Sequence, residues 1–176
     1  MQSSPPPSVC RLNDDVSDFH CTNKDLNNFL KDDALKAQSN MTSVTYLCFL
    51  KSVAIGFVTL AAATIEVKSI DGPPLPGYTP KTYPCIKLAR LAVDERYAGN
   101  DFGSYLLLWT MGKFEKISKE IGCRYLTVDS KSESIGFYEK NDFILVQKTI
   151  HKLHPTLYLD MYFQIEGAKI ISEGQT

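Results

Sequence analysis

Apolar residues at Leu26, Phe29, Leu30, Ala34 and Ala37 recur in steps of three and four, which predicts a helix over about 25–38 with one face on a core. Thr22-Asn23-Lys24-Asp25 precedes that stripe with a capping-box pattern. Val9 to Leu12 predicts a short first strand. From Val44 to Leu50, Val44, Tyr46, Cys48 and Leu50 alternate with Thr45, Leu47 and Phe49; both sets are largely apolar, as in a strand covered on both faces. Lys51-Ser52 reads as a hairpin turn into residues 53–67, where Gly56 marks a bulge or a close backbone approach. Residues 71–84 carry five prolines and two glycines and read as a loop of unusual length, the kind that is often functional. Ile86 to Val93 is the next strand. Leu107, Met111, Phe114, Ile117 and Ile121 then set the inward stripe of a long helix, with Gly122 at its C-cap. Tyr125–Val128 (strand), Glu133–Lys140 (helix), Phe143–Val146 (strand) and Leu157–Phe163 (strand) complete the order. The alternation predicts an α/β fold, a mixed and mostly antiparallel sheet with helices on both faces.

Composition narrows the setting. The 176 residues are 44% hydrophobic and 22% charged, ordinary usage for one globular domain. We divide them into a flexible N-terminal lead-in over 1–7 (MQSSPPP), a domain over 8–165 and a C-terminal tail over 166–176. The start has no basic and apolar signal-peptide pattern, and no apolar run approaches the ~20 residues that span a bilayer, so a cytoplasmic protein with no membrane partner is expected. A net charge of −1 announces no global field for nucleic acid. The five cysteines are odd in number, scattered and without metal-ligand spacing, which predicts reduced thiols and no metal site.

Candidate chemistry concentrates where the strand ending Leu91-Ala92-Val93 leads through Asp94-Glu95-Arg96-Tyr97-Ala98-Gly99-Asn100-Asp101-Phe102-Gly103-Ser104 into the long helix. A strand-to-helix passage exposes unpaired N–H groups and the positive end of the helix dipole. Glycines let the backbone come close to a ligand and take φ > 0. Such a loop can hold a pyrophosphate without many basic side chains. The same spacing is equally met by a plain turn with Asn100 or Asp101 as N-cap.

The segment LARLAVDERYAGNDFGSYLLLW resembles motif A of the GNAT acetyltransferases, Arg/Gln-x-x-Gly-x-Gly/Ala with a further Gly: Arg96, Gly99 and Gly103 match, and Asp101 stands where the pattern has Gly or Ala. Asp tolerates the left-handed backbone better than most residues, while its carboxylate would repel phosphate unless it points outward or caps the helix. Ser134 to Phe143 resembles the family's A-x-x-F-Y-x-x-x-G-F signature, with Asp142 in place of Gly. The resemblance covers roughly residues 8–147. FHCTNKDLNNFL, AIGFVTLAAATI and KLARLAVD look like the branch that includes toxins acetylating the amino group of aminoacyl-tRNA.

The resemblance implies an acetyl-CoA-dependent N-acetyltransferase acting by direct attack in a ternary complex. Acetyl-CoA or CoA would lie on residues 91–93 and 96–104, with Leu91 and Val93 as backbone partners. Tyr138 would be the general acid. Direct attack requires no enzyme nucleophile. Glu66, Asp94, Asp129 and Glu133 lie near element ends, and none is assigned as general base; His20, His151, His154 and Cys85 read as structural or surface residues. The implied partner is an amine acceptor: a small molecule, a protein or an aminoacyl-tRNA. The toxin branch adds an antitoxin, and a homodimer stays open, as does a non-catalytic CoA sensor. Lys113, Lys116 and Lys119, with Arg124, cluster at and after the long helix as a basic stripe, readable as a tRNA surface or as a solvated face.

Overall fold

The computed structural model describes residues 7–12, 16, 18–71, 77 and 80–165. The lead-in before Pro7, the tail 166–176 and most of the Pro-rich loop lie outside the described residues. Among the described residues seven strands form one mixed sheet: β1 (Ser8–Arg11), β2 (Val44–Leu50), β3 (Val53–Glu66), β4 (Thr82–Val93), β5 (Tyr125–Asp129), β6 (Ile144–Leu145) and β7 (Thr156–Asp160), in the order β1-β2-β3-β4-β5-β7-β6. The helices are α1 (Lys24–Asn28), α2 (Ala34–Ser39), α3 (Phe102–Glu120) and α4 (Ile135–Glu139). The α/β class expected from the sequence is therefore the one observed. No described helix is long and apolar enough to cross a membrane. The chain divides into two compact units, Met1–Ala61 with Leu88–Thr110, and Ala62–Lys87 with Met111–Thr176.

In the first unit β1, β2 and β3 run antiparallel. Thr45 faces Thr59 across the ladder, and their buried hydroxyls bond each other at 2.9 Å, so neither is left unpaired. Cys48 faces Gly56 while Phe49 faces Ala54, which leaves Ile55 as the extra residue of a bulge. Gly56 is also a close approach: a Cβ there would sit 2.8 Å from Leu106 Cδ1 and 2.9 Å from the Ala92 carbonyl oxygen. Both readings of that glycine hold.

Asn23 caps α1, its side-chain oxygen accepting from the Asp25 and Leu26 amides. Asn27 clamps the preceding turn, accepting from the Cys21 amide at 2.8 Å and donating to the Cys21 carbonyl at 2.7 Å. The expected single helix is interrupted. Phe29–Asp33 forms a π turn in which the Ala34 amide reaches back to the Phe29 carbonyl, and α2 follows. On α3, Leu106, Leu107 and Thr110 are fully buried, whereas Ile121 lies beyond the helix end and is 63% exposed, which corrects the last member of the expected stripe.

In the second unit β4 pairs parallel with β5, and β5 and β6 pair antiparallel with β7. Strand β4 starts at Thr82, four residues before the expected Ile86. Tyr83 and Cys85 point inward and Pro84 outward, an alternation hidden within the proline run. The expected strand through Phe163 stops at Asp160, and residues 161–165 are helical. The Asp160 carboxylate accepts from the Tyr162 amide at 3.1 Å, an N-cap-like bond that turns the chain.

Candidate functional site

The passage from β4 to α3 is built on one buried carboxylate. Asp94 is fully buried, and its oxygens accept from the His20 amide at 3.0 Å, the Arg96 amide at 3.0 Å, Arg96 Nε at 2.8 Å and Arg96 Nη2 at 2.8 Å. Burial alone pushes this carboxyl upward; the Arg96 guanidinium and the two amides outweigh it and hold the pKa down, at about 2. Arg96 Nη2 also donates to the Asp18 carbonyl at 3.0 Å, and the Glu95 amide donates to the His20 carbonyl at 2.9 Å. The loop is thereby tied to residues 18–20. Arg96 brings its charge to Asp94, so it shapes the loop.

What the tie leaves open is a run of donors. Tyr97 and Ala98 amides close a 3-10 turn on Asp94 and Glu95, and the Tyr105 amide closes the first turn of α3 on Asp101. Between them the amides of Gly99, Asn100, Asp101, Phe102, Gly103 and Ser104 have no hydrogen-bond partner among the described residues. Gly99 has φ +78° with open space where a Cβ would lie. Asn100 Nδ2 donates to the Tyr97 and Ala98 carbonyls, both at 3.2 Å, which removes two acceptors from the loop's rim. The Tyr97 and Phe102 rings meet edge to face across the loop. A run of six open amides leading into a 19-residue helix has the donors to hold an anion.

Asp101 has φ +57°, the left-handed conformation for which the resembled pattern keeps a small residue. It is exposed, and its carboxylate makes no capping bond among the described residues. Of the two accommodations expected for it, the structure takes the outward one. Upstream, Ala92 is buried, and Leu91 and Val93 are half-buried at the end of β4.

Tyr138 belongs to the second unit. α4 ends in a Schellman closure: the Phe143 amide donates to the Tyr138 carbonyl at 3.1 Å and the Asp142 amide to the Glu139 carbonyl at 3.1 Å, with Asp142 at φ +65°. The Phe143 ring packs back on Tyr138, with centroids 5.4 Å apart, and Phe137 lies at 5.1 Å. Asp142 therefore fills the left-handed position at which the resembled signature has Gly. Tyr138 is buried, and loss of water raises its phenol to about 12. Its hydroxyl has no hydrogen bond among the described residues, yet no fully buried side-chain oxygen there lacks a partner, so the oxygen keeps an opening to solvent.

The other candidates are tied elsewhere. Asp129 pairs with Lys87 and accepts from Thr156 Oγ1 at 2.8 Å. Glu66 pairs with Lys68, and His20 with Glu95; His151, His154 and Glu133 are exposed. Burial raises the Cys85 thiol to about 12 and those of Cys48 and Cys123 to about 11, which keeps them protonated and unreactive at neutral pH. The basic stripe is largely matched: Lys119 pairs with Glu115 at 2.7 Å and Arg124 forks onto Asp160 at 2.8 Å. Sequence reasoning overlooked Asp94 as an anchor and Arg90 altogether. The Asp-x-Arg spacing was the available signal for the first.

The fold is that of an acyltransferase: the chain belongs to the acetyltransferase (GNAT) family, whose profile matches residues 12–143. Within it, the chain is 29% identical to the tRNA-acetylating toxin of Mycobacterium tuberculosis over 131 residues, 74% of this chain and 78% of the relative. Among solved structures it resembles AtaT complexed with acetyl-methionyl-tRNAfMet (TM-score 0.80, 21% identity, 92% of this chain and 98% of that one). It also resembles a Tyr-to-Phe variant of AtaT bound to the C-terminus of the antitoxin AtaR and acetyl-CoA (TM-score 0.74, 20% identity, 89% and 94%). At these identities the solved structures speak for the fold.

Proposed function

We propose that this chain is an acetyl-CoA-dependent N-acetyltransferase whose acceptor is the amino group of an aminoacyl-tRNA, a translation-blocking toxin restrained by an antitoxin, with the catalytic domain spanning 8–165. The observation that carries the coenzyme reading is the run of open amides from Gly99 to Ser104. Those donors, with the dipole of α3 behind them, match a diphosphate in charge and in number of hydrogen bonds. The acceptor reading is supported by the relative that acetylates tRNA.

Acetyl-CoA supplies the activated acetyl thioester. The open amides hold the diphosphate, and backbone donors of Leu91 and Val93 orient the acetyl carbonyl and favour the oxyanion that develops on attack. Tyr138 holds a proton for the departing sulfur. With its pKa near 12 the phenol is fully protonated at neutral pH, as a donor must be. Transfer to a thiolate is uphill, so Tyr138 releases its proton late or shares it.

The test is release of free thiol from acetyl-CoA in the presence of aminoacyl-tRNA, uncharged tRNA and a panel of small amines. Acetylated aminoacyl-tRNA supports the reading. Thiol release with small amines but not with aminoacyl-tRNA overturns the acceptor.

A further inference from the structure

Arg90 lies on β4 between Leu88 and Ala92, which flank it on the same face and are both buried. Its guanidinium carbon lies over the Phe29 ring, 3.6 Å from the centroid. Phe29 opens the π turn that interrupts the helix pair, and it belongs to the apolar cluster that contains Ala92. Burial lowers the pKa of this guanidinium, and Asp33 opposes that shift electrostatically. Asp33 itself pairs with Lys36 at 3.6 Å.

No hydrogen bond to the Arg90 guanidinium is found among the described residues, and it is only half-buried. An arginine presents five donors in a planar fork. Here the contact with Phe29 holds the guanidinium in place, and none of its donors has a hydrogen-bond partner among the described residues. Arg96 and Arg124, by contrast, are each forked onto an aspartate in their own unit. Arg90 is a pre-oriented, partly desolvated cation, an arrangement that strengthens recognition of an anionic oxygen.

We propose that Arg90 binds a backbone phosphate of the acceptor nucleic acid. The inference rests on the aminoacyl-tRNA reading above. In an aminoacyl ester the amino acid's carboxyl is bound and uncharged, so the anions an acceptor of that kind offers are its phosphates. Coenzyme A also carries phosphates, and the experiment separates the two sources. Arg90 is a positioning residue here and touches no reacting atom.

Arg90→Gln and Arg90→Lys are compared with the wild-type chain by titrating fluorescent tRNA over a range of salt, and by titrating coenzyme A calorimetrically. We expect Arg90→Gln to weaken tRNA binding about tenfold and to reduce the salt slope by about 0.7–0.9, the loss of one phosphate contact. Arg90→Lys keeps the charge without the fork and falls between. Coenzyme A affinity stays within about twofold in both. Wild-type tRNA affinity in both variants, weaker binding with an unchanged salt slope, or a parallel loss of coenzyme A affinity overturns the proposal. Arg90→Lys carries the test if Arg90→Gln does not fold. A wild-type chain that binds no tRNA overturns this proposal together with the acceptor reading, whereas tight wild-type binding with indifferent variants overturns this one alone.

Discussion

Asp94 and Arg96 are two residues apart, and the carboxylate of the first takes the amide, Nε and Nη2 of the second. That closure, with the bond from the His20 amide, ties down the start of the loop, and the six amides from Gly99 to Ser104 follow it with no hydrogen-bond partner among the described residues. The proposed anion site is thus bordered by an anion-cation pair, and its own donors belong to the backbone.

Asp94→Asn should disorder the arc. Replacing the carboxylate leaves donors competing for weaker acceptors, at a cost of roughly 1–3 kcal/mol. The folded pKa is depressed to about 2, below the ordinary value near 4, so the carboxylate's stabilisation is full above about pH 4 and is lost as pH falls through 2. Urea unfolding of both proteins between pH 2 and 7 should show the wild-type advantage shrinking at the acid end. A constant difference contradicts the assignment.

Tyr138→Phe should lower kcat by about 10²-fold or more, the size typical of a lost general acid, with coenzyme A affinity nearly unchanged. The phenol near 12 predicts no Tyr138-dependent fall in kcat below about pH 10. Equal turnover by the variant would remove the role.

Asp142→Gly should stabilise the chain by about 0.5–1 kcal/mol, because the C′ position of the Schellman closure has φ +65°. Asp142→Val should destabilise by more than that, since a β-branched residue resists this backbone. Thermal melts of the pair against wild type decide it. The paired departures from glycine, Asp101 and Asp142, were legible as substitutions in the sequence. That both occupy left-handed backbone required the structure.

Gly56→Ala should cost about 1–3 kcal/mol, since the added Cβ meets the Ala92 carbonyl, which cannot move without shifting the end of β4. An unchanged melting temperature contradicts the close-approach reading.

The legible parts of this protein were those governed by local rules. Steps of three and four placed the first helix and α3, the largely apolar run from Val44 to Leu50 placed β2, and Gly56 marked the bulge. What escaped notice depended on distant partners. The π turn arises where Phe29 reaches both Phe57 and Arg90, 28 and 61 positions away, and no local periodicity encodes it. Asp94 is without a role in the sequence, since one of its partners, the His20 amide, is 74 positions upstream. The run of prolines disguised the start of β4, where Tyr83 packs on Tyr125 of the neighbouring strand.

The proposed coenzyme site rests on the open amides of Gly99 to Ser104. Recording backbone amide resonances and hydrogen exchange with and without coenzyme A tests them directly. Saturable shifts and slowed exchange confined mainly to Gly99–Ser104 are the predicted result; binding of coenzyme A that leaves those six amides unmoved and unprotected would contradict it.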